Sequence, residues 1–317
     1  MIDRRAFLST TATTLTLAGA SAVLAQAQTG SAPRKPSEFR IACMTLPYSQ
    51  FPLMRALSGL KDAGYRYVAW GTSHREEGAQ KPTPIIASDA SADIARTLAR
   101  RCRDMGLEPL MMFAGVYPEG NNGLEVHRQR ILQAAAAGIP QLLTFSNTRM
   151  TDAKTLIERF KQLGPIARDN NVLVVFKQHG GNTGTGEDCA KIVREVNHPN
   201  IQINYDSGNV MDYYQGKIDP LVDIRSCTEF IHSFCIKDHR RGPTRPGDCG
   251  PGLGEIDHYK LLHNVAFLGR SIPLCCENIF APGVDRPTEA SGIDALARRA
   301  REFLELVIQG IQRTDAK

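Results

Sequence analysis

The sequence predicts an α/β chain folded as a (β/α)8 TIM barrel. Three observations carry that expectation. Strand-like and helix-like patterning alternates eight times in about 275 residues, the arithmetic of such a barrel. The gaps between segments are short, as right-handed βαβ crossovers require. Ionisable residues collect at the carboxyl ends of the later strands, where α/β folds place their chemistry.

The elements follow in order. Segment 39–46 reads as a strand, and 51–63 as an amphipathic helix stopped by Gly64. A second strand, 66–70, ends at Trp70, and 72–87 is a polar, Pro-containing loop. Helix 90–105 stops at Gly106, strand three covers 107–113, and helix 123–137 stops at Gly138. Strand four is 141–145. Thr151-Asp152 caps a helix that runs to Arg168. Strand five, the β-branched run 172–176, leads into Lys177-Gln178-His179, a glycine-rich turn and a helix from about residue 187. Strand six, 201–205, runs straight into Asp206. A short helix at 219–228 precedes strand seven, 230–237, and a Gly/Pro/Arg-rich loop, 238–255. Helix 257–268, strand eight at 272–277 and a last helix, 290–311, complete the pattern. An open doubly wound sheet is the alternative, but the first strand is followed by Met44-Thr45-Leu46-Pro47 rather than by a GxGxxG fingerprint.

Composition bounds the function classes. The 317 residues are 42% hydrophobic and 22% charged, so a large core needs no disulfides. The net charge of +5 includes no long basic block, which argues against a nucleic-acid partner. None of the eight cysteines stands in CxxC spacing, and Cys43, Cys235, Cys275 and Cys276 lie in apolar runs, as buried thiols do. At the N-terminus, Arg4-Arg5 precedes a weakly apolar run, 10–24, and the small residues Ala25-Gln26-Ala27. The order is that of a twin-arginine signal peptide over 1–27, followed by a polar linker, 28–38, and a barrel domain, 39–317. The apolar run is too short and Thr-rich to anchor in a bilayer. The expectation is a periplasmic or secreted protein with no membrane association after cleavage; a homo-oligomer is left open.

Strand phase gathers the candidate site. Side chains of one parity point into a barrel, and those at the top line its mouth. Strand five offers Lys177, with His179 in the same phase. Strand six ends in Asp206. Strand seven carries Cys235, Lys237 and His239 at two-residue spacing, and strand eight ends in Glu277 behind Cys275. Carboxylate oxygens with imidazole nitrogen suit Mn²⁺, Mg²⁺, Co²⁺ or Zn²⁺. Asn209, Lys237 and Trp70 are candidates for holding substrate, Trp70 by stacking on a sugar ring.

At these residues the chain resembles the xylose isomerase-like TIM-barrel superfamily, the sugar phosphate isomerase/epimerase group. The matching pieces are His179-Gly180-Gly181, Tyr205-Asp206-Ser207-Gly208-Asn209, Ile236-Lys237-Asp238, Gly252-Leu253-Gly254-Glu255-Ile256-Asp257 and Cys276-Glu277-Asn278. The resemblance implies a divalent metal held by Glu, Asp, His and Glu at the ends of strands five to eight, and proton movement between adjacent sugar carbons. Two positions depart from it: Lys177 stands where the family has its strand-five Glu, and Cys235 where it has its strand-seven His. Three arrangements answer the departure. The expectation carried forward is a metal held slightly higher, by His179, Asp206, Glu277 and His239. In the second, Cys235 ligates as a thiolate, favouring zinc. In the third, the Lys177 ammonium takes the metal's place, paired with Asp206 or Glu277.

Plainer roles compete for the same residues. Lys177 also reads as a buried ion-pair partner, His179 as a cap on the glycine loop, Asn209 as a brace for the loop after strand six, and Trp70 as core. The expected activity is sugar isomerase/epimerase-like enolisation of a small carbohydrate, in which metal and lysines polarise a carbonyl while Glu277 or His179 moves the proton. The alternatives are a lyase or hydratase acting on keto-sugars or glycosides, and a sugar-binding barrel without turnover.

Overall fold

The computed structural model describes residues 35–149, 152–242 and 247–314. The expected signal peptide, most of the linker and Thr151 lie outside the described residues. Eight parallel strands close into a barrel. They are β1 (Glu38–Met44), β2 (Tyr67–Trp70), β3 (Glu108–Phe113), β4 (Gln141–Phe145), β5 (Leu173–Lys177), β6 (Ile201–Tyr205), β7 (Ile231–Ile236) and β8 (Ser271–Cys276). Each pairs with its sequence neighbours, and β1 closes on β8 in a register that sets Cys43 against Cys276.

Helices α1 (Leu53–Asp62), α2 (Ala92–Asp104), α3 (Gly123–Ala137), α4 (Lys154–Asp169), α5 (Gly186–Val196), α7 (Pro220–Asp223), α8 (His258–His263) and α9 (Ala290–Thr314) surround the barrel, and α6 (Ser207–Tyr213) lies at its mouth. Local chemistry sets their ends. The Ser91 hydroxyl accepts from the Asp93 N–H at the start of α2. Thr185 and Asp188 form a reciprocal capping box on α5. Gly138 ends α3 in the left-handed conformation, φ 67°, that a side chain would resist. The Lys154 N–H at the start of α4 donates to Asp152 Oδ1 at 2.9 Å.

Two apolar layers result. Inside the barrel, Ala42, Met44, Ala69, Met111, Leu143, Val175, Cys235 and Cys275 form one cluster. Between sheet and helices lies the larger one, which includes Trp70, Phe160, Phe176 and Phe234. All eight cysteines are buried with free thiols.

Four segments differ from the sequence reading. The loop at 72–87 carries a two-stranded ribbon, Ser73–His74 against Thr83–Pro84. The loop after β7 carries another, Asp238–Arg240 against Gly247–Cys249. The helix expected at 219–228 breaks after α7 into 3-10 turns, where Ser226 and Thr228 hydroxyls donate to the carbonyls of Asp223 and Ile224. Residues after β6, expected as loop, form α6, because the Asp206 side chain caps it by accepting from the Asn209 N–H. Trp70 does not reach the mouth. Tyr67 and Ala69 of β2 face the interior, so Val68 and Trp70 face the helices, and Trp70 is 1% exposed within the outer core. Its expected stacking role is corrected to packing.

Candidate active site

Four strands deliver one charged side chain each to the barrel mouth. Lys177 is the last residue of β5, and Asp206, Lys237 and Glu277 directly follow β6, β7 and β8. The Lys177 ammonium donates to Asp206 Oδ2 at 2.9 Å and to Glu277 Oε1 at 2.6 Å. Lys237 donates to Glu277 Oε2 at 2.9 Å and to Asn209 Oδ1 at 2.7 Å. It also stands 3.0 Å from Asp248 Oδ2 and 3.3 Å from Asp206 Oδ2. An ammonium has three donors. Lys237 spends all three on Asn209, Glu277 and Asp248, whereas Lys177 spends two and, among the described residues, keeps one.

The surroundings fix the protonation states. Burial alone would lower the Lys177 ammonium, but Asp206, and then Cys235 and Glu277, raise it above an ordinary lysine. Lys237 follows the same logic: burial opposes its charge, while Asp206, Glu277 and Asp248 hold it well above the usual value. Burial pushes the Glu277 carboxyl up, yet Lys177 and Lys237 pull it far below the carboxylate range. Asp248 moves the other way, raised by burial against the partial offset of Lys237.

Backbone and amide groups brace this net. Asp206 Oδ1 accepts from the Asn209 N–H at 3.0 Å, and the Asn209 amide donates to the Gln178 carbonyl at 2.6 Å. Gln178 Oε1 accepts in turn from the Asp206 N–H at 2.8 Å. Asp238, the residue after Lys237, is structural: its carboxylate accepts the N–H groups of His239, Gly252 and Ile256, tying the loop after β7 to the barrel. Gly254 lies so close to this carboxylate and to the His239 carbonyl that an added Cβ would collide with both.

His179 leaves β5 into a wall of rings. Its ring centroid is 4.5 Å from Phe145, 5.5 Å from Tyr213 and 6.0 Å from Tyr117. Nδ1 donates to the Ser146 carbonyl at 2.9 Å, so Nε2 carries the lone pair. Burial lowers its pKa below the ordinary 6.5, partly offset by that hydrogen bond, and the neighbouring Lys177 charge lowers it further. The imidazole is therefore neutral at pH 7. A pocket of about 320 Å³ opens beside the net, lined by Lys237, Asp248, Glu277, Asn278, Phe280 and Arg286 among others.

Of the sequence candidates, Lys177, Asp206, Asn209, Lys237 and Glu277 converge. His239 is buried at the rim, with Nε2 3.6 Å from Asp212 Oδ1. Among the described residues, the donors spaced for an ion are those of Asp206, Cys235 and Glu277, all within 4.8 Å of one another. His179 and His239 lie outside that group. The donor chemistry, two carboxylates and a thiol, suits a divalent cation. However, the Lys177 ammonium already holds bonding distance to both carboxylates, and an ion at the same donors would need its volume. The divalent metal that the resemblance implies does not fit beside a charged Lys177. Sequence reasoning missed Asp248, which pairs with Lys237 from a ribbon inside a Gly-rich loop, and the ring wall around His179, which is assembled from a loop at Tyr117, the end of β4 at Phe145 and the end of α6 at Tyr213.

A family model described as Xylose isomerase-like TIM barrel matches residues 57–305. Among solved structures, an L-ribulose 3-epimerase superposes with a TM-score of 0.66 at 17% identity, covering 87% of this chain and 97% of that one. A xylose isomerase-like TIM barrel protein from Mycobacterium smegmatis, in complex with magnesium, gives 0.66 at 16%, covering 87% and 97%. A probable 3-DHS dehydratase from Bacillus anthracis gives 0.61 at 12%, covering 84% and 98%. At these identities the likeness is one of fold. No curated protein matches the sequence.

Proposed function

The chain belongs to the xylose isomerase-like TIM barrel family, and from that premise we propose that it enolises a small carbohydrate substrate, as a sugar isomerase or epimerase does. The observation that carries the reading is a buried ammonium with one donor to spare, set at the same barrel mouth as a neutral imidazole. The substrate's carbonyl oxygen takes the third Lys177 N–H. His179 Nε2 removes the proton from the adjacent carbon. The C–H electron pair becomes the C=C bond of an enediolate, and the carbonyl pair moves to the oxygen, where Lys177 stabilises it. Returning the proton to the neighbouring carbon, as the partner carbon's hydroxyl proton passes to the enediolate oxygen, completes isomerisation; epimerisation takes its proton from solvent on the opposite face. Glu277 is a poor base here, because two ammoniums hold its charge; it positions both lysines instead. Lys237, with its donors spent, is likewise a positioning residue.

A second reading, elimination from a keto-sugar or glycoside, draws on Asp248. Its pKa is raised by burial, it lines the pocket, and its Oδ1 is buried without a hydrogen-bond partner among the described residues. A protonated Asp248 would hand a proton to a leaving group expelled from the same enediolate. The test is incubation with a panel of sugars and keto-sugars in heavy water. Deuterium entering next to the carbonyl, lost in His179→Asn with the fold intact, supports enolisation. Full exchange in that variant would overturn the assignment. Loss of water or an alcohol from the product would select elimination.

The reading places the mature enzyme outside the cytoplasm, on the strength of Arg4-Arg5 and the segment after it. Export that survives replacement of both arginines by lysine would refute that route. Among the described residues, no helix is long and apolar enough to cross a membrane.

A further inference from the structure

The mouth of the barrel has the makings of a cation site whose cation is part of the chain. Asp206 and Glu277 contribute two buried carboxylates, and Cys235 a thiol, with donor atoms within 4.8 Å of one another. Burying two carboxylates together is costly unless positive charge sits between them. A divalent ion supplies two such charges. Here Lys177 and Lys237 supply the same two, one ammonium bridging each side of Glu277 and both near Asp206 Oδ2. The Cys235 thiol lies beside Lys177 and is kept protonated by burial, which pushes its pKa well up despite that neighbour.

We propose that Lys177 is a tethered substitute for a divalent cation: it excludes metal from the Asp206–Cys235–Glu277 donors, and removing its side chain opens them to a zinc- or cobalt-type ion. The thiol decides the class of ion, because a thiolate with two carboxylates favours borderline-soft Zn²⁺ or Co²⁺ over Mg²⁺. On binding, Cys235 gives its proton to water as the sulfur–metal bond forms. The vacated lysine volume receives the ion, and Lys237 stays on Glu277 and Asn209.

The test is equilibrium dialysis of the full chain against Co²⁺, read by metal content and visible absorption. Wild-type protein is expected to retain no stoichiometric ion. Lys177→Ala is expected to gain one ion per chain, with a thiolate-to-cobalt band that disappears in Lys177→Ala/Cys235→Ser. Wild-type protein that holds one ion per chain, lost in Asp206→Asn, would overturn the proposal. So would a folded Lys177→Ala that takes up none. The wild-type measurement stands alone, and Lys177→Ser replaces Lys177→Ala should the latter not fold. Deuterium exchange distinguishes this inference from the proposed activity: a metal-bound wild-type enzyme that still exchanges through His179 would sink the substitution and leave enolisation standing.

Discussion

Replacing Lys177 by Met keeps most of the side chain's volume and removes its charge. It deletes two charge-assisted bonds and leaves Asp206 and Glu277, both buried, with one cation fewer. Breaking a buried pair by removing one partner costs about 3–5 kcal/mol. Lys237 remains 2.9 Å from Glu277 and 3.3 Å from Asp206, so part of that cost is offset. The expected loss is about 2–3 kcal/mol at pH 7, working down from the same range, or roughly 4–10 °C in Tm. The loss depends on pH with a definite sign. In the wild type the Glu277 carboxyl is depressed below its ordinary 4.5, with the two lysines outweighing burial. A depressed carboxyl contributes stability that is present above the unfolded pKa and lost as pH falls through the folded one. Without Lys177, burial weighs more and the folded pKa rises, so acid relieves the variant by protonating the carboxyl. The gap between wild type and variant is therefore widest near neutrality and narrows toward pH 4. Urea unfolding at pH 7 and pH 4.5 reads it directly. A gap under about 0.5 kcal/mol at neutral pH, the scale of an ordinary surface substitution, or one unchanged with pH, would refute the ion-pair reasoning.

His179→Asn should lower the exchange rate about 10²–10⁴-fold, the usual worth of a positioned base, with an unchanged circular dichroism spectrum. In the wild type the rate should climb with pH through a value below 6.5 and be level at neutrality, because the lowered imidazole must be unprotonated; an acid limb centred above 6.5 would contradict this. Trp70→Ala should cost about 3–5 kcal/mol of stability and leave KM for any turned-over sugar unchanged, whereas a selective rise in KM would return this ring to the substrate. Gly254→Ala should disturb the Asp238 carboxylate and the loop it holds, read as faster proteolysis within 238–256, while cleavage at the wild-type rate would show that the contact yields easily.

Much of this arrangement is legible in the sequence because strands obey a two-residue period. Once β5 to β8 are located, Lys177, Asp206, Lys237 and Glu277 fall at strand ends in the inward phase, and their convergence follows from barrel closure alone. A place at the end of a strand is not enough by itself: on β2 the phase makes Ala69 the inward residue and turns Trp70 to the outer core. Three features leave no periodic trace. Asp248 meets Lys237 only because Asp238–Arg240 and Gly247–Cys249 pair as a ribbon. The rings around His179 come from Tyr117, Phe145 and Tyr213, far apart in the chain. Which cation neutralises Asp206 and Glu277 depends on where a flexible lysine head comes to rest, a matter of ångströms that residue type cannot settle.

The unpaired sulfhydryls of this protein have a practical consequence. In the native state none is open to solvent, so a small alkylating reagent can modify one only when the surrounding layer breathes. Cys235 and Cys275 sit within the barrel, while Cys102, Cys189 and Cys227 sit under the helices. Mass-spectrometric footprinting of these positions against time would rank the opening of inner and outer shells in unlabelled, unmutated material. The molecule thus carries its own set of clocks for local unfolding.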